Sequence, residues 1–219
     1  AACRDNGCAL LGGETAQLPD IYAAGHMDLA GTVVGVVERA NILDGSRVVP
    51  GDRVWGLPST GLHTNGFSLA RRLISGLKLG SDPRGQLGQP LGDALLAAHP
   101  SYYGVLKPIL SELKAIAHIT GGGIPGNLPR VLPPGVSVAL DWGSWRVPPI
   151  FGLLQELGNI PFEEMLRVFN MGLGLIFVAS PTFDARVHCP TAIEVGRVTG
   201  LQAERVIVNT PSPSGRGLG

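Results

Sequence analysis

Glycine is the feature that most constrains how this chain folds. The sequence contains 32 glycines among 219 residues, about twice the usual share. They gather in clusters that follow short apolar runs, unlike the even spread of a low-complexity sequence. Because glycine has no Cβ, it permits tight turns and lets the backbone come close to a ligand. The pattern therefore predicts a folded protein whose strands end in bends able to bind a ligand.

The charge balance argues against several classes of partner. Lys plus Arg and Asp plus Glu number 17 each, which gives a formal net charge of zero. A chain without a basic patch has no electrostatic footprint for nucleic acid or for an anionic membrane. The longest apolar runs, such as 171–179, are shorter than the ~20 residues of a transmembrane helix. We expect neither a nucleic-acid partner nor a membrane partner.

The cysteines and the start of the chain bear on its cellular compartment and on whether it is a fragment. Three cysteines are an odd number, which suits a reducing compartment rather than a disulfide framework. No basic segment followed by an apolar one opens the sequence, so no signal peptide is visible. We expect a cytoplasmic protein. Because the sequence begins with Ala1 inside what resembles a structured segment, we also expect it to be a fragment.

Strand patterns and helix patterns alternate along the chain, which predicts an α/β or α+β fold. Asn65 or Ser68 is a candidate cap for the first long helix, and Pro108 predicts a kink or a later start in another. Strands are expected over 7–12, 29–38, 53–57, 136–140, 172–180, 192–199 and 205–208. Helices are expected from Phe67 onward and over 91–98, 102–114, 127–132, 149–157 and 161–169.

Turn signals divide the sequence into segments. Residues 41–52 contain Asp44-Gly45 and Pro50-Gly51-Asp52, and this density indicates a domain junction. We expect a first domain over 1–43 and a second over 44–209. The remainder, 210–219, is rich in Pro, Ser and Gly and is predicted to be disordered.

The first glycine bend carries a carboxylate. In the segment GGETA, Gly12 and Gly13 precede Glu14 and Thr15. A carboxylate after such a bend can hold Mg²⁺ or orient a substrate amine. The alternative is that Glu14 lies in the first turn of a helix, where the helix dipole favours an acid.

Two further bends combine glycines with neutral polar groups. The segment STGLHTNG (59–66) lies between an expected strand and an expected helix, and HITGGG (118–123) follows an apolar run. Backbone N–H groups at a helix start, with glycines beside them, suit a phosphate. His63 and Asn65 would add side-chain donors, although His63 alone is equally consistent with a structural histidine. The candidate cofactor-binding residues of all three bends are Gly12, Gly13, Thr15, Ser59, Gly61, Gly66, Thr120, Gly121, Gly122 and Gly123.

Several familiar sites are absent from the sequence. GxxxxGK[ST] does not occur, so the chain is not a P-loop enzyme. HExxH, CxxC and GxSxG are also missing, which argues against those zinc sites and against a serine hydrolase.

Taken together, the segments resemble one family, the PurM-like phosphoribosylformylglycinamidine cyclo-ligases, or aminoimidazole ribonucleotide synthetases. Their order and spacing across almost the whole chain make the resemblance specific. It departs from the family at Gln17–Asp20, where Glu-Met-Pro-Gly is usual, and at Thr64, Phe67 and Pro125-Gly126. The matching segments are GCAL with GGETA (7–16), DLAG (28–31), VGVVE (34–38), STGLHTNGFS (59–68), AHITGGG (117–123), NLPRVL (127–132) and FNMG (169–172).

The resemblance implies a PurM-like fold, in which the chain would comprise the last part of an N-terminal ATP-binding domain and a C-terminal α/β domain. It also implies a homodimer and the ATP- and Mg²⁺-dependent cyclisation of formylglycinamidine ribonucleotide in purine biosynthesis. Glu14 would position metal or substrate, and His63 and Asn65 would polarise the amide or the phosphoryl group. Gly61, Gly66 and Gly121–Gly123 would form the phosphate cradle, and which phosphate each bend binds stays open.

Two alternatives remain at this point. Other PurM-like enzymes use ATP to activate amides, thiamine phosphate, selenide or a carbamoyl group. A chain that lacks part of its first domain could also be catalytically inactive and only bind phosphate ligands or dimerise.

Overall fold

The computed structural model describes residues 1–210, and the predicted tail lies outside the described residues from position 211 onward. The chain divides into two compact units, Ala1–Ile42 and a second that begins at Leu43.

The first unit has little regular structure. It contains a helix α1 (Ala2–Asp5) and a 3-10 turn (Arg39–Asn41). The strands predicted over 7–12 and 29–38 are wrong, because a strand needs a hydrogen-bonded neighbour and these segments have none within residues 1–210. Over residues 1–42 no side chain is buried. The exposed apolar residues include Leu10, Leu11, Leu29, Val33, Val34 and Val36.

A six-stranded sheet organises the second unit. Its order is β2-β4-β1-β5-β3-β6, and all neighbours are antiparallel except the parallel pair β3 and β6. Five strands lie where the sequence predicts them, whereas the sequence shows β2 only as an apolar run. The strands are β1 (Arg53–Pro58), β2 (Leu113–His118), β3 (Val136–Asp141), β4 (Leu173–Ala179), β5 (Ile193–Gly200) and β6 (Val206–Asn209).

Strand β4 shows why the sheet forms. Its seven residues are all buried, because alternate side chains enter two different apolar clusters. Ile176 and Val178 pack into the larger cluster, and Leu175 and Phe177 pack into the smaller cluster around Trp55. A strand covered on both faces has no polar positions, which accounts for the continuous apolar run in the sequence.

Short helices connect the strands, and prolines set several of their ends. The predicted helix over 102–114 stops at Leu106 and continues as a 3-10 turn (Lys107–Glu112), because Pro108 has no N–H for an α-helical bond. The predicted helix over 127–132 begins earlier, at Gly123, and becomes a 3-10 turn (Leu128–Val131). The helices are α2 (Phe67–Leu73), α3 (Leu91–Leu95), α4 (Tyr103–Leu106), α5 (Gly123–Asn127), α6 (Pro149–Gly158) and α7 (Phe162–Val168).

This mixture of sheet and helices confirms the predicted α/β or α+β class. Among residues 1–210, no helix has both the length and the apolar character needed to cross a bilayer.

A buried ion pair ties three strands together where β1 begins. The Asp52 side chain is fully buried, and Lys114 Nζ on β2 donates to its two oxygens at 2.6 and 2.8 Å. The carboxylate also accepts the Val49 N–H at 2.9 Å, and the Asp52 carbonyl accepts the N–H of Val198 on β5 at 2.9 Å. Because these bonds join the start of β1 to β2 and β5, they fix the sheet at the edge where β1 begins.

Candidate functional site

Sheet topology brings two of the three glycine bends to one edge. Strands β1 and β2 both pair antiparallel with β4, so they run in the same direction and end at the same edge. The bend 59–66 follows β1, the bend 119–123 follows β2, and β4 begins between them after Phe169–Gly172. We call this place the sheet-edge site.

Asn170 holds the first of these bends against β4. Its buried side chain accepts a hydrogen bond from Ser59 Oγ at 2.8 Å and one from the Gly172 N–H at 2.9 Å. Its Nδ2 donates to the Gly61 carbonyl at 2.8 Å. Asn170 therefore fixes the bend, a role that the sequence did not reveal although the FNMG segment contains it.

Asn127 organises the second bend in a similar way. Its Nδ2 donates to the Gly123 carbonyl at 2.8 Å and to the carbonyls of Thr120 and Gly121 at 3.2 Å. The Thr120 hydroxyl donates to Asn127 Oδ1 at 3.2 Å. In this structure the hydroxyls of Thr120 and Ser59 thus serve the bends themselves.

The glycines of the site fall into two groups. A Cβ at Gly66 would lie 2.3 Å from the Phe169 ring, and one at Gly123 would lie 1.8 Å from the Leu166 carbonyl oxygen. Gly61 is also tight, since a Cβ there would lie 3.2 Å from the Ala94 carbonyl oxygen. Packing therefore requires glycine at positions 66 and 123, whereas at position 61 it only leaves little room. Gly121 and Gly122 are exposed, and they leave the backbone accessible to a ligand.

The two bends meet at Asn65. A Cβ on Gly121 would lie 3.4 Å from Asn65 Oδ1, so the Asn65 side chain reaches across to the second bend. Its only hydrogen bond in the described part of the chain is a long one, from Nδ2 to Thr64 Oγ1 at 3.4 Å. The carboxamide is half-buried and free to bind a ligand. It does not cap α2, and neither does Ser68, because left-handed Gly66 occupies the cap position without a side-chain bond.

His63 lies within the first bend, buried and in a left-handed backbone conformation with φ of 59°. Its Nε2 accepts the Thr60 N–H at 3.2 Å, so the neutral ring carries its proton on Nδ1. That Nδ1 is buried and has no hydrogen-bond partner within residues 1–210. Burial, reinforced by the neighbouring His99 and His118, lowers the pKa of His63 to about 4. At neutral pH His63 is therefore an uncharged donor with one unused N–H.

Two aromatic residues that the sequence did not single out, His99 and Tyr102, contact the His63 ring. The His99 ring centroid lies 4.0 Å from that of His63, and the Tyr102 centroid lies 6.4 Å away. His99 also contacts His118, the last residue of β2. Tyr102 donates from its hydroxyl to the Pro58 carbonyl at 2.9 Å, and burial raises its pKa to about 12. The only sequence signal was the position of His118 beside the three glycines.

Protonation of His63 should make stability depend on pH. The folded state resists protonation until about pH 4, whereas the unfolded chain takes up the proton near pH 6.5. Stability is therefore complete above pH 6.5 and falls as the pH drops toward 4, by up to about 3 kcal/mol from this group. Urea unfolding at several pH values measures the effect.

The variant His63→Asn should flatten that pH dependence, and His188→Asn should preserve it. His188 is exposed, and its ring stacks on Phe183 rather than on the three histidines. An unchanged slope in His63→Asn between pH 4 and 6.5 would contradict the assignment.

The remaining bend belongs to the first unit. Gly12, Gly13, Glu14 and Thr15 are exposed and lie in a segment without helix or strand, so the alternative of a first helical turn at Glu14 is wrong. Only two of the three predicted bends are thus assigned to the sheet-edge site. Within residues 1–210, no three His, Cys, Asp or Glu side chains cluster as a metal site.

Comparison with known protein families shows which family the chain matches. The family described as "AIR synthase related protein, C-terminal domain" matches residues 49–209. The chain belongs to this family. The match covers the whole sheet and both bends of the sheet-edge site, and it confirms the resemblance drawn from the sequence motifs.

Two curated relatives are similar to almost the whole chain. A protein of Myxococcus xanthus (strain DK1622) is 49% identical over 95% of this chain, and one of Sorangium cellulosum (strain So ce56) is 50% identical over 92%. Both are called phosphoribosylformylglycinamidine cyclo-ligase. The chain spans 64% and 58% of their respective lengths.

A solved structure shows the same fold at greater distance. Thiamine-monophosphate kinase from Stenotrophomonas maltophilia K279a matches 79% of this chain and 54% of its own, with a TM-score of 0.52 and 17% sequence identity. Together with the family match, this likeness confirms the expected PurM-like fold.

Proposed function

We propose that the chain is part of a phosphoribosylformylglycinamidine cyclo-ligase, which closes the imidazole ring of formylglycinamidine ribonucleotide at the expense of ATP. The observation that carries the proposal is the meeting of two glycine bends at one sheet edge, where His63 is buried within the first bend and Asn65 reaches across to the second. Relatives of that name at about half identity support it.

The reaction needs positioning more than covalent chemistry by the protein. The formyl amide oxygen attacks the γ-phosphate of ATP, ADP leaves, and the amide nitrogen gives up its proton, so that an iminophosphate forms with phosphate as the leaving group on the amide carbon. A nitrogen of the same substrate then attacks that carbon, phosphate departs, and the nitrogen gives up one proton. Since the rate depends on alignment and on stabilising developing charge, fixed donors around the reacting oxygens are what the site must supply.

His63 and Asn65 are the proposed donors. The neutral His63 ring offers its Nδ1–H, and the Asn65 carboxamide offers an N–H, to the amide or phosphoryl oxygen. A neutral donor held in a low-dielectric site stabilises developing negative charge without giving up its proton. Because His63 Nδ1 is closed off in this structure, the bend 59–66 must shift when substrate binds.

The exposed glycines complete the proposed cradle. Gly121 and Gly122 present backbone beside Asn65, where a phosphate group can approach closely. Gly61, Gly66 and Gly123 support the cradle without contacting the ligand, since the space beside each of them is taken by neighbouring protein atoms.

Magnesium is proposed to enter with ATP. Mg²⁺ at nucleotide sites takes most of its ligands from phosphates and water, and one or two carboxylates suffice from the protein. Glu14, exposed in the GGETA segment, is the proposed contributor, although it forms no metal cluster with other described residues. Gly12, Gly13 and Thr15 would hold the backbone around it.

Replacing Glu14 by Gln should weaken the dependence on magnesium. We expect the Mg²⁺ concentration for half-maximal activity to rise roughly tenfold, equivalent to about 1.4 kcal/mol of lost binding. A magnesium titration of ring closure measures it, with Asp20→Asn, another exposed acid of the same unit, as control. A titration unchanged by Glu14→Gln would remove the assignment.

A homodimer is also proposed. The first unit exposes Leu10, Leu11, Val33, Val34 and Val36, each by 79% or more. Apolar surface of this extent in a water-soluble protein usually meets a partner, and the resemblance implies that the partner is a second copy. Light scattering across a range of concentrations tests the state of association.

The function is tested by substrate. Purified protein with ATP and Mg²⁺ is offered formylglycinamidine ribonucleotide or thiamine monophosphate, and ADP and the aminoimidazole product are measured. Ring closure with the first substrate alone is the expected result. ADP formation only with thiamine monophosphate would favour another PurM-like enzyme. Phosphate-ligand binding without turnover would favour a non-catalytic fragment.

A further inference from the structure

Two histidines beside the sheet-edge site form a directed pair. His99 Nε2 lies 2.9 Å from His118 Nε2, and His99 Nδ1 lies 2.7 Å from the Pro100 carbonyl oxygen. Neither His99 nor His118 was among the residues predicted to bind or react. Both side chains belong to exposed residues, so protons can reach bulk water from them.

The partners fix which nitrogen carries each proton. A carbonyl oxygen can only accept, so His99 Nδ1 must hold a hydrogen and donate it to Pro100. In the neutral pair, His99 Nε2 then has a lone pair facing His118, and His118 must donate its Nε2–H. This arrangement leaves His118 Nδ1 as a bare lone pair, without a partner among residues 1–210.

The groups packed around the two histidines are aromatic rings rather than acids. His63 from the bend after β1, Tyr102 before α4 and His118 at the end of β2 are the titratable groups that meet at His99. Within the described residues, no carboxylate forms an ion pair or a hydrogen bond with these rings. Partial burial of the ring, and then His99, lower the pKa of His118, which keeps it neutral at physiological pH.

We propose that His118 is the base that takes up the proton released on ring closure, and that His99 is the positioning residue that turns the free Nδ1 of His118 toward the site. The inference rests on the proposed function. As the C–N bond forms and the C–O bond to phosphate breaks, the attacking nitrogen loses its proton to His118 Nδ1. The imidazolium keeps donating from Nε2 to His99, and this charge-assisted bond stabilises it.

The arrangement of His99 and His118 resembles that of other catalytic bases, which a second group orients. A base works best when a neighbour fixes its tautomer and stabilises its charged form. Here a neutral imidazole, itself locked by a backbone carbonyl, performs the orienting role. Loss of His99 should therefore weaken the base without removing it.

Nuclear magnetic resonance of the ¹⁵N-histidine-labelled 219-residue chain tests the pair directly. A ¹⁵N–¹⁵N coupling across the hydrogen bond should connect the two Nε2 atoms at pH 8, with His99 protonated on Nδ1 and His118 unprotonated on Nδ1. H188F, which alters an exposed histidine outside this group, should keep the coupling. Absence of the coupling in the wild-type chain would overturn the inference, whatever the activity.

Kinetics test the role of the pair. A general base contributes about 10²–10⁴-fold, and H99F should lose at least about tenfold in single-turnover ring closure, with its acid limb moved along the pH axis. H99Q should recover most of the rate, because its carbonyl oxygen can accept the His118 Nε2–H, and it serves as well if H99F misfolds. Equal rates and equal acid limbs for wild type and H99F would overturn the base role. A coupled pair in a wild-type chain that closes no ring would instead overturn the proposed function.

Discussion

Replacing His63 by Ala is expected to slow single-turnover ring closure by about 10²–10³-fold, the usual effect of removing one fixed donor to a developing oxyanion. The reason is the single unused Nδ1–H of a ring that stays neutral because its pKa is about 4. The donor should act alike across the neutral pH range, since the ring does not change charge there. The measurement is the rate of product formation in a rapid-quench experiment.

Asn65→Ala and His63→Asn refine this result. Asn65→Ala should also slow the reaction, because its carboxamide is the other free donor at the bends. His63→Asn should lose less than His63→Ala, since asparagine tolerates the left-handed backbone at this position and keeps an N–H near the place of Nδ1. His188→Ala is the matched control. Rates within about threefold of wild type for His63→Ala and Asn65→Ala, or under 1 kcal/mol, would show that neither acts in the transition state.

Replacing Lys114 by Met should cost about 3–5 kcal/mol of stability. The change leaves the fully buried Asp52 carboxylate with only the Val49 N–H as a side-chain partner. An uncompensated buried charge is far more costly than a missing surface contact. The free energy of unfolding in urea measures it.

An exposed ion pair provides the control for Lys114→Met. Arg84 and Glu156 are 2.6 Å apart with about half of each side chain exposed, at 51% and 52%. Breaking it with Arg84→Met should cost less than about 1 kcal/mol. The double variant Asp52→Asn with Lys114→Met should be more stable than the sum of its single changes predicts, because it removes both charges. A cost for Lys114→Met no larger than that for Arg84→Met would contradict the assignment.

The second unit was largely predictable because its elements carry local signals. The continuous apolar run of β4 and the proline at the start of α6 each identify an element without knowledge of its neighbours. The first unit failed for the opposite reason. Its valine-rich segment over 29–38 has every local property of a strand, but strand formation depends on a neighbour that no local pattern can supply.

The site was predictable in its glycines and not in its connections. Clustered glycines mark Gly121 and Gly122, but sequence spacing does not show that Gly66 and Gly123 are required by Phe169 and Leu166, about 40 to 100 residues away. The same holds for His99, which comes from the α3–α4 connection and meets His118 only because β2 ends beside it. Contacts between distant segments decide these roles, and a single sequence does not record them.

One strand, β4, separates β1 from β2, and this spacing sets the distance between the two bends of the site. Neighbouring strands lie about 4.8 Å apart, so the two bends begin at points roughly 10 Å apart. The hydrogen bonds of the sheet hold this distance fixed. The sheet thus sets how long a ligand can be, and the side chains of the bends decide which chemical groups it must carry. Grafting bends from a distant family member onto this frame should exchange what is recognised while preserving how long a molecule fits.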